Sequence, residues 1–292
     1  EKRGIDMDSV DNVKDVNKEE KSNKEMKNNL SEKTVEFSHI YKTFNPGTVN
    51  EQDLFTDFNL SLKEDSFNSV VGSNGSGKTT MLNLLCGSIP IDSGDILIDG
   101  KNITKMKEHR RSRFIGRVYQ DPAMGTCPGL TILENMSLSD NKERKYTLAP
   151  GIDKKRVDYF RDELSLLGMG LEDKLQVKVG TLSGGQRQAL SLLIATMSPI
   201  KLLILDEHTA ALDPKSSELV MDLTQRVISE KHITTIMVTH NLKFAVSYGN
   251  RLLMMHRGDV VFEASGEAKN NVSIKDLTDR FDEISIEDGN TL

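Results

Sequence analysis

Gly72-Ser73-Asn74-Gly75-Ser76-Gly77-Lys78-Thr79 is the stretch on which the fold turns. It fits the pattern G-x-x-x-x-G-K-[ST]. Glycines at Gly72, Gly75 and Gly77 let a backbone wrap closely around phosphate oxygens with its N–H groups turned inward. The helix expected over Thr79 to Cys86 starts near Lys78 and adds the positive end of its dipole. Lys78 is placed to reach β- and γ-phosphates, and the Thr79 hydroxyl to bind Mg²⁺. Ser73, Asn74, Ser76 and Thr80 complete the nucleotide-binding set. An average composition would produce this pattern in a chain of this length roughly 1 % of the time. The alternative, a flexible Gly/Ser loop, is further weakened by context: Asn68-Ser69-Val70-Val71 reads as a strand running straight into the loop.

Outward from the loop, Lys201-Leu202-Leu203-Ile204-Leu205-Asp206-Glu207 reads as a buried strand ending in two acids. Ligands of open parallel sheets sit at the carboxyl ends of strands. Asp206 is therefore the candidate Mg²⁺ holder and Glu207 the candidate general base for an attacking water; a solvated acidic pair is the plainer reading. A second apolar run, Ile233 to Val238, follows a helix expected over Ser216 to Ser229. Upstream, Thr34 to Ile40, Leu54 to Leu62 and Gly94 to Gly100 carry strand patterns. The middle, about 121–180, holds helical stretches, Ile132–Leu138 and Lys154–Leu167, and few strand signals. Apolar strands alternating with helices predict an α/β fold with a parallel sheet covered on both faces.

Residues 1–33 hold nine acids, eight bases and seven large apolar residues. Such a segment buries too little apolar surface to offset its ordering entropy and reads as a disordered charged tail. The net charge of −6 over 292 residues argues against a dedicated nucleic-acid binder. Arg110, Arg111, Arg113 and Arg117 form a basic run that reads as a solvated face, with a nucleic-acid contact as the other reading. Cys86 and Cys127 lack metal-ligand or disulfide spacing and read as small core or surface thiols. No apolar stretch approaches the roughly 20 residues that cross a bilayer. A membrane function would therefore need separate membrane-embedded partners.

Leu182-Ser183-Gly184-Gly185-Gln186, continued by Arg187-Gln188-Ala189-Leu190, resembles the signature motif of ABC ATPases without a mismatch. Taken alone, it is a Ser-capped helix start. Its backbone N–H groups also make a second anion site at a helix N-terminus. The resemblance spans about 34–265, with a short extension over 266–292. It implies a P-loop NTPase core with a parallel sheet, an antiparallel β subdomain and a helical signature subdomain over about 121–190. It further implies that the signature of one protomer caps the γ-phosphate held by the other in an ATP-sandwiched homodimer.

Four smaller features are carried over from the same family. Gln120 resembles the glutamine that joins the subdomains, contacts Mg²⁺ and senses the γ-phosphate; alone it is a polar residue ending a strand. Asp213, in Ala211-Leu212-Asp213, resembles the loop crossing the dimer interface, and Pro214 after it also suits a helix cap. His240 resembles the switch histidine that hydrogen-bonds the γ-phosphate. Phe44 matches the aromatic that stacks on adenine, with Tyr41 competing for that role and core packing as the plainer reading. Two departures stand out: His208 follows Glu207 where many members have proline, and Asp65 stands where a turn glycine is common.

The resemblance implies an ATP-hydrolysing subunit, with ATP and Mg²⁺ as its cofactors, peripheral at the cytoplasmic face of the membrane. Its partners would be a second copy, two integral-membrane permease subunits and an extracytoplasmic substrate-binding protein, with no nucleic acid. The runs Leu205 to Pro214, Gly125-Thr126 and Met254-Met255-His256-Arg257-Gly258 look like the ATPase component of bacterial importers of tryptophan, tyrosine or related small substrates. An exporter ATPase or a soluble non-transport ABC ATPase is the competing reading. One cassette, and only about 100 residues between the phosphate loop and the signature, set the chain apart from translation-type and DNA-repair members.

Overall fold

The computed structural model describes residues 33–142 and 151–287. The charged tail expected over 1–33 lies outside these residues except for Lys33, where the first strand begins.

Ten strands among the described residues form two sheets. The first is antiparallel, in the order β2-β1-β4-β5, from β1 (Lys33–Phe44), β2 (Gln52–Lys63), β4 (Ser93–Ile98) and β5 (Lys101–Asn102). The second, in the order β10-β9-β3-β8-β7-β6, joins β3 (Phe67–Gly72), β6 (Ile115–Val118), β7 (Leu202–Asp206), β8 (Thr234–Val238), β9 (Arg251–His256) and β10 (Asp259–Ser265). The five strands from β9 through β6 pair in parallel, and β10 closes the edge as an antiparallel hairpin partner of β9.

The alternation of side chains along a strand sorts the core into two layers. On β7, Leu202 and Ile204 face one cluster while Leu203 and Leu205 face the other. The first cluster lies against the antiparallel sheet and against α1 (Lys78–Cys86), through Met81, Leu82, Leu84 and Leu85. The second packs against α3 (Ile132–Asp140), α4 (Val157–Ser165), α5 (Gly184–Thr196) and α6 (Pro214–Lys231), which follow the short α2 (Glu108–Arg111) in the chain. A smaller cluster holds α7 (Leu242–Ser247) and α9 (Ile274–Glu287) to β9, with α8 (Glu267–Asn270) between them in sequence. Both sheet faces are thus covered, as near-continuous apolar strands require.

Three differences from the sequence reading have physical causes. The hairpin of β9 and β10 carries no clean alternation, and no strand is expected there from the sequence. The helix expected over Lys154–Leu167 opens as a short 3₁₀ turn, Lys154–Arg156, which Asp153 caps by accepting from Lys155 N. At Asp65 the backbone adopts φ 55°, so this position demands the left-handed turn that a glycine supplies elsewhere. Aspartate is among the few other residues that tolerate it.

Candidate active site

Parallel pairing sets which residues meet. Val70 lies opposite Val238, and Asp206 opposite Val238 from the other side. The carboxyl ends of β3, β7 and β8 therefore share one rim, and the residues that follow them, the loop after Gly72, Glu207 and His240, emerge together. In the sequence these groups are spread over the 168 positions from Gly72 to His240.

The phosphate loop is shaped by exclusion of side chains. A Cβ on Gly72 would stand 2.3 Å from the Met255 carbonyl oxygen, and one on Gly77 3.1 Å from the Phe55 ring. Gly77 has φ 103° and caps α1 without a side chain, leaving the first N–H groups of that helix open. The buried Lys78 folds over the loop and donates through Nζ to the carbonyl oxygens of Gly72 (2.7 Å) and Ser73 (2.8 Å) and to Ser76 Oγ (3.3 Å). Burial pushes its ammonium below the usual lysine range, and the Glu207 carboxylate pulls the other way. Thr79 points outward from the first turn, with Thr80 half-buried beside it.

A cleft is lined by Thr79, Gln120, Asp206 and Glu207, and also by Gly184 and Leu212. Glu207 Oε1 lies 2.8 Å from His240 Nε2. The Glu207 backbone sits at φ 49°, a left-handed conformation costly for a residue with a Cβ. Its N–H donates to Val238 O and its carbonyl accepts from Ala210 N, so the surrounding turn over-determines the strain. Such strain at a charged residue on the rim of a sheet is what an active site stores.

Thr79, Gln120 and Asp206 offer hard oxygen donors in one cleft. That set suits Mg²⁺, which takes one or two carboxylates and completes its shell with phosphate oxygens and water. No cluster of three His, Cys, Asp or Glu side chains with metal-holding geometry occurs among the described residues. A metal here would therefore lean on its nucleotide.

The signature residues occupy the start of α5. Ser183 Oγ accepts from Gln186 N, and Gln186 Oε1 accepts from Ser183 N, a reciprocal capping box. Ser183 itself is exposed and Leu182 buried. Gly184 and Gly185 allow α6 to approach: a Cβ on Gly184 would meet Leu212 at 3.1 Å, and one on Gly185 would meet Ser216 at 3.3 Å. Asp213 caps α6 by accepting from Ser216 N, and hydrogen bonds from the Ser216 hydroxyl and then its N–H hold the carboxyl below the usual range. Phe44 is half-buried against the core beside α1, under the Lys42 ammonium. Neither Phe44 nor Tyr41 lines the cleft around Thr79.

The basic run is not a uniform solvated face. Arg110 and Arg113 are exposed, but Arg111 is buried and donates to four carbonyls, those of Leu84, Leu85, Thr104 and Met106. Two of these end α1, where a cation is favoured. Arg117 is also largely buried and its Nη2 bonds Asp206 Oδ2 at 2.6 Å. Its position between Ile115 and Val118 on a strand, three residues before Gln120, was the available signal.

His208, at the position of the departure from proline, is buried and lies 3.3 Å from Thr224 Oγ1 on α6. Burial depresses its imidazole from 6.5 to about 4. The folded chain thus refuses a proton that the unfolded chain accepts. Above pH 6.5 neither state is protonated and the group has no effect. As pH falls from 6.5 toward 4 stability is lost, by about 2 kcal/mol between pH 7 and pH 5. Denaturant midpoints of wild type and His208→Gln at those two pH values measure this, and the variant is expected to lack that part of the slope.

The family described as "ABC transporter" matches residues 55–210. The tyrosine transport ATP-binding protein of Clostridioides difficile (strain R20291) is 40 % identical over 249 residues, covering 85 % of this chain and 98 % of that protein. The probable branched-chain amino acid transport ATP-binding protein of Archaeoglobus fulgidus is 30 % identical, over 74 % of this chain and 87 % of that protein. A dimeric ATP-binding cassette in a post-hydrolysis state with ADP and Pi superposes with TM-score 0.66 at 28 % identity, covering 79 % of this chain and 98 % of that one. An ABC-transporter cassette in its ADP conformation shares the fold with TM-score 0.73 at 23 % identity, over 87 % and 98 % of the two chains.

Proposed function

Because this chain belongs to the ABC transporter ATP-binding family, an ATPase family, we propose that it hydrolyses ATP at the shared rim of β3, β7 and β8 and drives import of a small solute such as an aromatic amino acid. What carries the reading is the convergence of Lys78, Asp206, Glu207 and His240 on one rim from three separate parts of the chain.

The roles follow from the chemistry of each group. Loop N–H groups and Lys78 hold the β- and γ-phosphates and neutralise charge as the γ-phosphoryl departs. Glu207 accepts a proton from the attacking water, and His240, bonded to Glu207, orients that carboxylate and contacts the γ-phosphate. Thr79, Asp206 and Gln120 are the residues to hold Mg²⁺, which supplies charge neutralisation to the phosphates when bound. Phe44 is proposed to stack on adenine. The start of α5, from Ser183 to Gln186, caps the γ-phosphate held by a second copy, and Asp213 lies along that interface. Two solved structures of one cassette of this fold, at 28 % identity, are dimeric, which supports the pairing.

Coupling to a membrane partner is assigned to a groove of about 530 Å³ between the sheet core and α3 and α5. Its wall carries Met124 and Leu138, 68 % and 56 % exposed. Apolar residues this open suit a segment of a permease subunit. Among the described residues no helix is long and apolar enough to cross a membrane. The chain is accordingly proposed to sit peripherally at the cytoplasmic face on permease subunits, with a substrate-binding protein on the far side. The 40 % identical relative carries the word tyrosine in its name, which favours an aromatic amino acid as cargo.

Lys78→Ala tests the site. It is expected to weaken ATP binding about 10- to 100-fold, as loss of a charge-assisted phosphate contact predicts. Equilibrium binding of a fluorescent ATP analogue reads this, and wild-type affinity would overturn the assignment.

A further inference from the structure

Arg117 stands where the phosphate site and the permease groove share a wall. Its guanidinium donates to Asp206 Oδ2 at 2.6 Å and to Asn83 Oδ1 at 3.0 Å, lies 3.8 Å from Cys86 Sγ, and packs 4.8 Å from the Tyr119 ring centroid. The two ion-pair side chains are 13 % and 18 % exposed. Solvent therefore screens this pair poorly, and each charge depends on the other. The Nε of Arg117 is buried without a hydrogen-bond partner, so the guanidinium is held through its Nη atoms alone.

Asp206 has two claims on it. In the reading above it is a Mg²⁺-holding carboxylate, and in the fold it is the counter-ion of Arg117. A full positive charge in contact with a ligand oxygen opposes a second cation on the same carboxylate. Such coupling is reciprocal: whatever Arg117 costs the metal, the metal costs the Arg117–Asp206 bond.

Resting on that metal reading, we propose that Arg117 is a built-in counter-ion that competes with Mg²⁺ for Asp206 and keeps the nucleotide-free site poor in metal. The metal then binds with nucleotide, whose phosphates supply the charge that outweighs the guanidinium. When Asp206 turns to the metal, the guanidinium keeps Asn83 and the Tyr119 face, and Arg117 and Tyr119 both line the groove. The loaded state of the site is thereby felt on the groove side.

The test uses the full chain, nucleotide-free, and Mn²⁺ alone as probe, with free ion counted by electron paramagnetic resonance. Arg117→Met is expected to bind Mn²⁺ about tenfold more tightly than wild type, within the usual range of site-to-site coupling. Arg117→Lys keeps the charge and is expected to behave as wild type. If Arg117 served only packing, Arg117→Met would lower the melting temperature and leave Mn²⁺ affinity unchanged. If it oriented Asp206 for the metal, affinity would fall. Either result overturns the proposal. Adding Asp206→Asn to Arg117→Met separates the two layers. Loss of the gained affinity supports Asp206 as ligand, whereas retention overturns the metal reading itself. Should Arg117→Met not fold, a wild-type crystal structure with Mg²⁺ and a non-hydrolysable ATP analogue decides. An opened Arg117–Asp206 contact supports competition, and a contact kept near 2.6 Å overturns it.

Discussion

Glu207→Gln is expected to bind ATP and hydrolyse it about 10²- to 10⁴-fold more slowly, the span typical of a lost general base. The substitution is nearly isosteric. Its side-chain oxygen can still accept at the position where Glu207 Oε1 meets His240 Nε2 at 2.8 Å, and the turn that fixes φ at 49° does not depend on the carboxylate. What is lost is a group able to take a proton from water. Binding should be kept or strengthened, because the Glu207 carboxylate is the negative charge nearest in effect to Lys78. Removing it makes the phosphate pocket more positive. The uncut γ-phosphate then remains as the bridge between two copies, and an ATP-dependent dimer accumulates. Single-turnover hydrolysis and light scattering with ATP measure both halves. Turnover within a few-fold of wild type would remove Glu207 from the role of base.

Ser183→Arg is expected to abolish ATP-dependent pairing while leaving ATP binding by the monomer close to wild type. Ser183 lies exposed at the first turn of α5, outside the loop that holds the chain's own phosphates. Within its own chain the substitution costs one helix cap, about 1 kcal/mol. Gln186 and the packing of Gly185 on Ser216 remain to hold the helix. Across an interface the same change is far larger, since a long side chain replaces a hydroxyl where two surfaces must close around a phosphate. Scored in the Glu207→Gln background, closure should vanish by light scattering, with affinity for a fluorescent ATP analogue within a few-fold. A dimer that still forms would mean the signature does not act in trans.

The phosphate loop, the acidic strand end and the signature were readable because each is local. Gly72 to Thr79 must bring glycine and lysine to fixed offsets, and Leu202 to Leu205 must be apolar throughout to lie in the middle of a covered sheet. The left-handed turn at Asp65 and the imidazole buried at His208 fall at two positions where the sequence departs from a residue common in the ABC ATPase pattern. Arg111 and Arg117 were misread for a different reason. A run of arginines looks solvated when read along the chain. The strand β6 turns Arg117 inward toward Asp206, 89 positions away, and the end of α1 takes Arg111. Burial of a charge depends on its partner, and the partner is not a neighbour in sequence.

Local chemistry along the chain therefore determined the candidate groups: a glycine-rich loop whose N–H groups can hold phosphate, two acids at a strand end, and a second helix start able to take an anion. Only the tertiary structure decided which of these groups meet. Parallel pairing of β3, β8 and β7 brings Gly72, His240 and Glu207 to one rim, and β6 pairing with β7 sets Arg117 against Asp206. Strand register is a long-range property, fixed by packing between segments that share no local signal, whereas a motif is fixed by the bonds of consecutive residues.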